Sequence, residues 1–196
     1  MRVIAGVARG FPLKGPPRPA TRATSDKVRG AIFDALVLSL EDARVLDLYA
    51  GTGALGVEAL SRGAASCLFV EKAATTCRVI EANVRATKLA DSALVWPMTV
   101  ERALDRLEKG GGGVPPAFDP PYDILTLDPP YGAPGIANVI ERVSRPGLVA
   151  RGGFVVLEHD KRWSPPADPG VLRLRRTRLY GDTGVTLWQR DEEAEE

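Results

Sequence analysis

With 196 residues, 44% of them hydrophobic, the chain can bury one full core and is too short for two ordinary domains. No apolar run is long enough to span a bilayer, and the opening "MRVIAGVARGF" lacks the long apolar stretch of a signal peptide, so a cytoplasmic protein is expected. The formal net charge of +1 excludes a strongly acidic or basic chain overall, and two cysteines without metal or redox spacing, Cys67 and Cys77, exclude a thiol-based site.

In chain order, "RVIAGVARGFPLK" reads as a β-hairpin about a glycine-rich turn, and "GPPRPATRATSDK" as an extended linker. Thr24 or Ser25 suits the N-cap of a helix through "DKVRGAIFDALVLSL", with Val28, Ile32, Phe33, Leu36 and Val37 on one face. Then "RVLDLYAG", "ALGVEALSRG", "SCLFVEK" and "AATTCRVIEANVRATKL" alternate strand, helix, strand and helix. "ALVWPM" is a further strand, "VERALDRLEK" a helix, and "GGGGVPPAFDPP" an irregular connector. "DILTLDPPY" contains a strand, "IANVIERVS" a helix and "GGFVVLEHD" a strand; "VLRLRRTRLYG" and "VTLWQR" form a closing antiparallel hairpin about "GDTG". The alternation implies an α/β protein with a mainly parallel sheet covered on both faces and an antiparallel pair at its end. The expected organisation is an amino-terminal arm and linker over 1–24, one domain over 25–190, and an acidic tail over 191–196.

The charge is unevenly spread. Arg2, Arg9, Lys14, Arg18, Arg22, Lys27 and Arg29 face only Asp26 in the first thirty residues, and Arg173, Arg175, Arg176 and Arg178 cluster near the end. The tail "DEEAEE" offsets much of this in the sum. Two basic patches are the footprint of a polyanion partner, or else solvated segments.

"DLYAGTGALG" places Gly51, Gly53 and Gly56 between a strand and a helix, which fits G-x-G-x-x-G. Read as a dinucleotide site, this loop admits a pyrophosphate, with Glu71 as the acid that holds a ribose. Asp47, in the strand before Tyr49, Ala50, Gly51, Thr52 and Gly53, argues for a cationic ligand instead. S-adenosylmethionine carries an ammonium and a sulfonium, and its ribose diol offers two donors to Glu71, beside Lys72.

Between Phe118 and Gly132 the tetrapeptide Asp-Pro-Pro-Tyr occurs twice. The second copy, Asp128, Pro129, Pro130 and Tyr131, follows a strand and so falls at its carboxyl end, where ligands gather in open α/β sheets. The first, Asp119 to Tyr122, precedes that strand and is read as a coincidence. His159 has no evident partner, and Trp96, Trp163 and Trp188 read as packing residues, with Trp163 also a possible RNA contact.

Taken together, "RVIAG", "TSDKVRGAIFDAL", "VLDLYAGTGALGVEALSRGA", "LDPPYG" and "YGDTGV" resemble the bacterial 16S ribosomal RNA guanine-N2 methyltransferases of the RsmD type over nearly the whole chain. The resemblance implies a Rossmann-like sheet of seven strands with the last antiparallel, S-adenosylmethionine as donor, and a guanine of 16S rRNA, free or in the assembling small subunit, as acceptor. It implies that the amino-terminal hairpin, with Arg2, Arg9, Lys14, Arg18, Arg22 and Arg29, grips RNA. In this reading Asp128 and the Pro129 carbonyl hold the guanine amine and Tyr131 stacks on the base. Where such enzymes usually carry an acid after the third strand, this chain has "PMTVER"; Thr99 bonds the adenine there, or Glu101 replaces it. No metal is expected, and a monomer is. The rival readings are a methyltransferase of DNA amines, a nicotinamide oxidoreductase, and an RNA-binding module without catalysis.

Overall fold

The computed structural model describes residues 1–15, 26–36, 40–110, 113–130 and 132–192. Helix α1 (Asp26–Ala35) leads into β1 (Arg44–Leu48), α2 (Ala54–Ser61), β2 (Ser66–Glu71), α3 (Ala74–Ala86), β3 (Ala93–Pro97) and α4 (Val100–Glu108). These are followed by β4 (Tyr122–Leu127), α5 (Ile136–Val143), β5 (Val149–Asp160), β6 (Leu172–Tyr180) and β7 (Thr183–Arg190). The strands form one sheet in the order β3-β2-β1-β4-β5-β7-β6, parallel except for β7, which is antiparallel to both neighbours. The expected α/β architecture, with seven strands and the last antiparallel, is therefore present. The order reverses between β1 and β4, the topological switch at which open sheets of this kind bind ligands.

Strands β1, β2 and β4 read as near-continuous apolar runs because both their faces are covered. Alternate residues divide between two cores: Val45, Cys67, Phe69, Ile124 and Val156 meet α1, α2 and α3, while Leu46, Leu68, Leu125, Leu127 and Val155 meet α4 and α5. Helix α4 supplies Val100, Ala103, Leu104 and Leu107, the one-face spacing of an amphipathic helix. Of the face expected on α1, Val28, Ile32, Phe33 and Leu36 are buried, and Val37 lies outside the described residues. Among the described residues no helix is long and apolar enough to cross a membrane.

The expected amino-terminal hairpin is a minimal one, with the antiparallel bridge Arg2 to Pro12, the Val3 N–H donating to the Phe11 carbonyl (3.0 Å), the Gly10 N–H to that of Val3 (2.9 Å) and the Leu13 N–H to that of Met1 (3.1 Å). Pro12 has no N–H to extend a ladder. The segment is docked on the sheet's flank: Val3, Ala8 and Leu13 are buried in the core of α1 to α3. Gly6, at φ 80°, passes so close to the Ser61 carbonyl that a Cβ would lie 1.6 Å from it. The linker and its Thr24, Ser25, Arg18 and Arg22 lie outside the described residues, as do 193–196 of the tail.

Candidate active site

Strand register assembles the site. Leu48 at the end of β1 pairs with Val70 of β2 and Leu127 of β4, so Tyr49, Glu71 and Asp128 emerge side by side at one edge. Glu71 pairs in turn with Pro97 of β3, and Thr99 follows two residues later as the N-cap of α4, its hydroxyl accepting the Arg102 N–H at 3.4 Å. The glycine loop, Glu71, Thr99 and Asp128 thus share the carboxyl edge beside the switch point. Lys72, next to Glu71, is exposed.

The glycine loop is held tightly. Tyr49, at φ 60°, occupies the left-handed region that costs a residue with a Cβ ~1 to 3 kcal/mol, a strain that recurs at functional sites. The Ala50 N–H donates to the Val70 carbonyl (3.0 Å) and the Gly53 N–H to that of Ala50 (2.7 Å). Gly56 serves packing: a Cβ there would lie 2.2 Å from the Phe69 ring.

Glu71 closes the loop from the neighbouring strand. Its Oε2 accepts the Gly51 N–H (3.1 Å) and its Oε1 the Ala73 N–H (2.8 Å), which fixes the carboxylate plane. Each oxygen keeps a second lone pair, so a vicinal diol can still donate to it. A pyrophosphate fits this arrangement poorly, because the first glycine N–H is already taken by a carboxylate whose charge would repel it.

Asp47 corrects the sequence reading. It does not offer charge to a ligand: the side chain is buried, with Oδ1 accepting the Thr126 hydroxyl (2.7 Å) and Oδ2 the Gly56 N–H (3.0 Å). Burial pushes its carboxyl up to about 6 against those two hydrogen bonds. Its role is to tie β1 to β4 and to the first turn of α2.

At the end of β4, Asp128 is half-buried, Pro129 buried and Pro130 exposed. The Asp128 N–H donates to the Leu48 carbonyl at 3.4 Å, which fastens the turn to β1. Tyr131 lies outside the described residues. His159 is a packing residue: it is buried, hydrogen-bonded to the Thr186 hydroxyl (2.9 Å) and edge-on to Trp163, and burial lowers its pKa. Cys67 and Cys77 are free and buried, and among the described residues no cluster suits a metal.

Of the basic arm, Arg2, Arg9 and Lys14 are exposed, as a polyanion contact requires. Arg29 is not available: it is fully buried, paired with Asp26 (3.0 Å) and Glu58 (3.6 Å), and donates to the Arg2 carbonyl. Its chain position beside the basic arm concealed that it lies on the inner face of α1.

Sequence reasoning missed the residues that seat the arm. Buried Glu58 accepts the N–H groups of Ile4 (2.8 Å) and Ala5 (3.0 Å), and the Ser61 hydroxyl donates to the Ala5 carbonyl while accepting from the Ala8 N–H. Buried Asn83 on α3 accepts the Lys14 N–H (2.8 Å), donates to the Lys14 carbonyl (3.2 Å), and donates to the Thr52 carbonyl in the glycine loop (2.9 Å). One amide thereby connects the arm to the loop. The available signal was an asparagine three residues beyond Ile80, on the apolar face of a helix.

Residues 1–189 match the family described as Conserved hypothetical protein 95. The chain is 34% identical to the Bacillus subtilis (strain 168) protein YlbH, named as a candidate rRNA methyltransferase, over 97% of this chain and 99% of that protein. It is 29% identical to Ribosomal RNA small subunit methyltransferase D of Escherichia coli (strain K12), covering 100% of this chain and 92% of that one. Among solved structures, the Escherichia coli protein yhhF, described as a candidate methyltransferase, superposes with a TM-score of 0.82 at 30% identity, over 98% of this chain and 99% of that chain. The fold is the Rossmann-like fold of S-adenosylmethionine-dependent methyltransferases. The chain belongs to the Conserved hypothetical protein 95 family, the RsmD type anticipated from its motifs.

Proposed function

We propose that the protein transfers a methyl group from S-adenosylmethionine to the exocyclic N2 amine of a guanine in 16S ribosomal RNA, within the cytoplasm and on free RNA or the assembling small subunit. The observation that carries this reading is the register that sets Glu71, the strained glycine loop and the Asp128 turn on one edge. The name of the Escherichia coli relative supports the RNA class.

Glu71 suits the ribose diol, the loop from Tyr49 to Gly53 suits the methionine end, and Thr99 suits the adenine edge. When bound, S-adenosylmethionine supplies an already activated methyl, so the protein's task is positioning. A guanine amine is a weak nucleophile because its lone pair is delocalised into the ring. Asp128 and the Pro129 carbonyl accept its two N–H groups, which turns the lone pair out of that conjugation and toward the donor. Tyr131 stacks on the extruded base, a contact of ~1 to 3 kcal/mol. The surplus proton leaves to Asp128 or to water.

The test is transfer of labelled methyl to undermethylated 16S RNA and small subunits, followed by nucleoside analysis. N2-methylguanosine is the expected product. A methyl on another base or atom would overturn the acceptor assignment, and no transfer to RNA in either form would overturn the substrate class.

A further inference from the structure

Strand β6 carries four arginines in the run Arg173-Leu174-Arg175-Arg176-Thr177-Arg178, at the open edge of the sheet. Regular alternation would divide them between the two faces. A bulge between Leu174 and Arg176 changes the parity. Arg173 lies opposite Gln189, Arg176 opposite Leu187 and Arg178 opposite Val185, alternate residues of β7 that share one face. The Arg175 guanidinium bonds to Gln189 of that same face (3.0 Å). All four cations are thereby gathered on the side that also carries α1 and the docked arm.

Two of them are held and two are not. Asp191 pairs with Arg173 (3.7 Å) and Arg175 (2.8 Å). Arg176 and Arg178 are exposed and make no ion pair among the described residues; they border a cleft floored by Ile32, Val156, Val185 and Leu187. The arginines also climb toward the catalytic edge, because β6 runs in the same direction as β4. Following the register, Leu127 is level with Leu157, Thr186 and Thr177, so Arg178 stands level with Asp128. Three interstrand spacings separate the two backbones, about 14 Å, a reach suited to nucleotides flanking the one at Asp128.

We infer that β6 is a second RNA-backbone contact, in which Arg176 and Arg178 bind phosphates flanking the target nucleotide while Asp191 holds Arg173 and Arg175 in place. This rests on the RNA reading above. The contact is to the phosphates, so it strengthens binding without selecting sequence. The arm and β6 together form a basic track on one flank of the molecule, leading to the edge where Asp128 waits.

The test uses the full chain with Arg176→Gln and Arg178→Gln together, and the RNA that the wild type methylates. Binding is measured against salt, alongside cofactor affinity and thermal midpoint. Each lost phosphate contact on a single strand lowers the salt slope by about 0.7, so the pair should lower it by about 1.4 and weaken binding roughly 20-fold at 0.1 M salt. Cofactor affinity and midpoint should not move. A control with Arg145→Gln and Lys109→Gln, at the ends of α5 and α4 on the opposite face of the sheet, removes equal charge and should leave the slope unchanged. A wild-type slope in the β6 variant, or an equal drop in the control, overturns this proposal while leaving the RNA reading intact. A wild type that neither binds nor methylates RNA overturns the RNA reading itself.

Discussion

The same four residues, Asp-Pro-Pro-Tyr, stand at both ends of β4, and the two copies sit in opposite settings. At the amino end Tyr122 is fully buried and its hydroxyl donates to the Phe118 carbonyl (2.6 Å), while the Asp119 carbonyl accepts from Arg44 at the start of β1 (3.3 Å). That copy braces the foot of the sheet. At the carboxyl end Asp128 is half-buried, Pro130 is exposed, and the Asp128 N–H is tied back to β1. This copy lies at the crevice beside the switch point, where the proposed reading uses its acceptors. Strand direction makes the difference, since in a parallel sheet only carboxyl ends open onto the loops that form the site. A motif names a chemistry, and its place on the strand decides whether that chemistry is used.

The sharpest way to break the comparison is Asp128→Ala, which should lower methyl transfer by about 10²- to 10³-fold with little change in cofactor affinity, as expected when one positioned acceptor is lost. A normal rate in this variant would mean that the second copy is as inert as the first. Asp47→Asn extends the contrast to an acid near the same edge that faces inward. Because its folded pKa is raised to about 6 from 3.8, its contribution to stability is fully present below about pH 4 and is lost as pH rises through 6. The loss is of order 3 kcal/mol. Asn accepts the Gly56 N–H through its oxygen, donates its NH2 to the Thr126 hydroxyl oxygen and does not titrate, so denaturant unfolding at pH 4.5 and 8 should show wild type losing stability relative to the variant; a constant gap would mean that Asp47 titrates normally.

Tyr131→Ala should weaken RNA binding or turnover by ~1 to 3 kcal/mol through lost stacking, with an unchanged melting temperature. Tyr122→Phe should do the reverse. It removes one buried hydrogen bond and leaves the Phe118 carbonyl unpaired, at about 1 kcal/mol of stability, while turnover per folded molecule is kept. The smallest effect is expected from Asp119→Ala, because its main chain, not its carboxylate, bonds Arg44. Within about 0.5 kcal/mol and at full activity, it should be indistinguishable from wild type. Loss of methyl transfer in this variant would reverse the roles of the two copies.

Much of this was legible in the chain. The helices and strands follow from period and turn chemistry: the 3.6-residue spacing of Val100, Ala103, Leu104 and Leu107, and the apolar run of β4 ending at Asp128. The edge position of Glu71 and Asp128 followed from alternation alone. What was misread was charge. By residue type alone Asp47 and Arg29 read as partner contacts, because acids and bases are usually solvated, yet both are buried and bonded internally.

By itself the sequence determined the element order, the parallel sheet and the placement of the second Asp-Pro-Pro-Tyr at a strand's carboxyl end, because these depend on local period and on chain direction. Only the tertiary structure decided which charges face solvent, that the arm is docked through Glu58 and Asn83, and that a bulge turns the arginines of β6 to one flank. Those outcomes rest on hydrogen bonds between residues as far apart as Lys14 and Asn83, and on a one-residue shift in pairing. Neither leaves a trace in composition, because each is settled by which distant groups satisfy one another when the core closes.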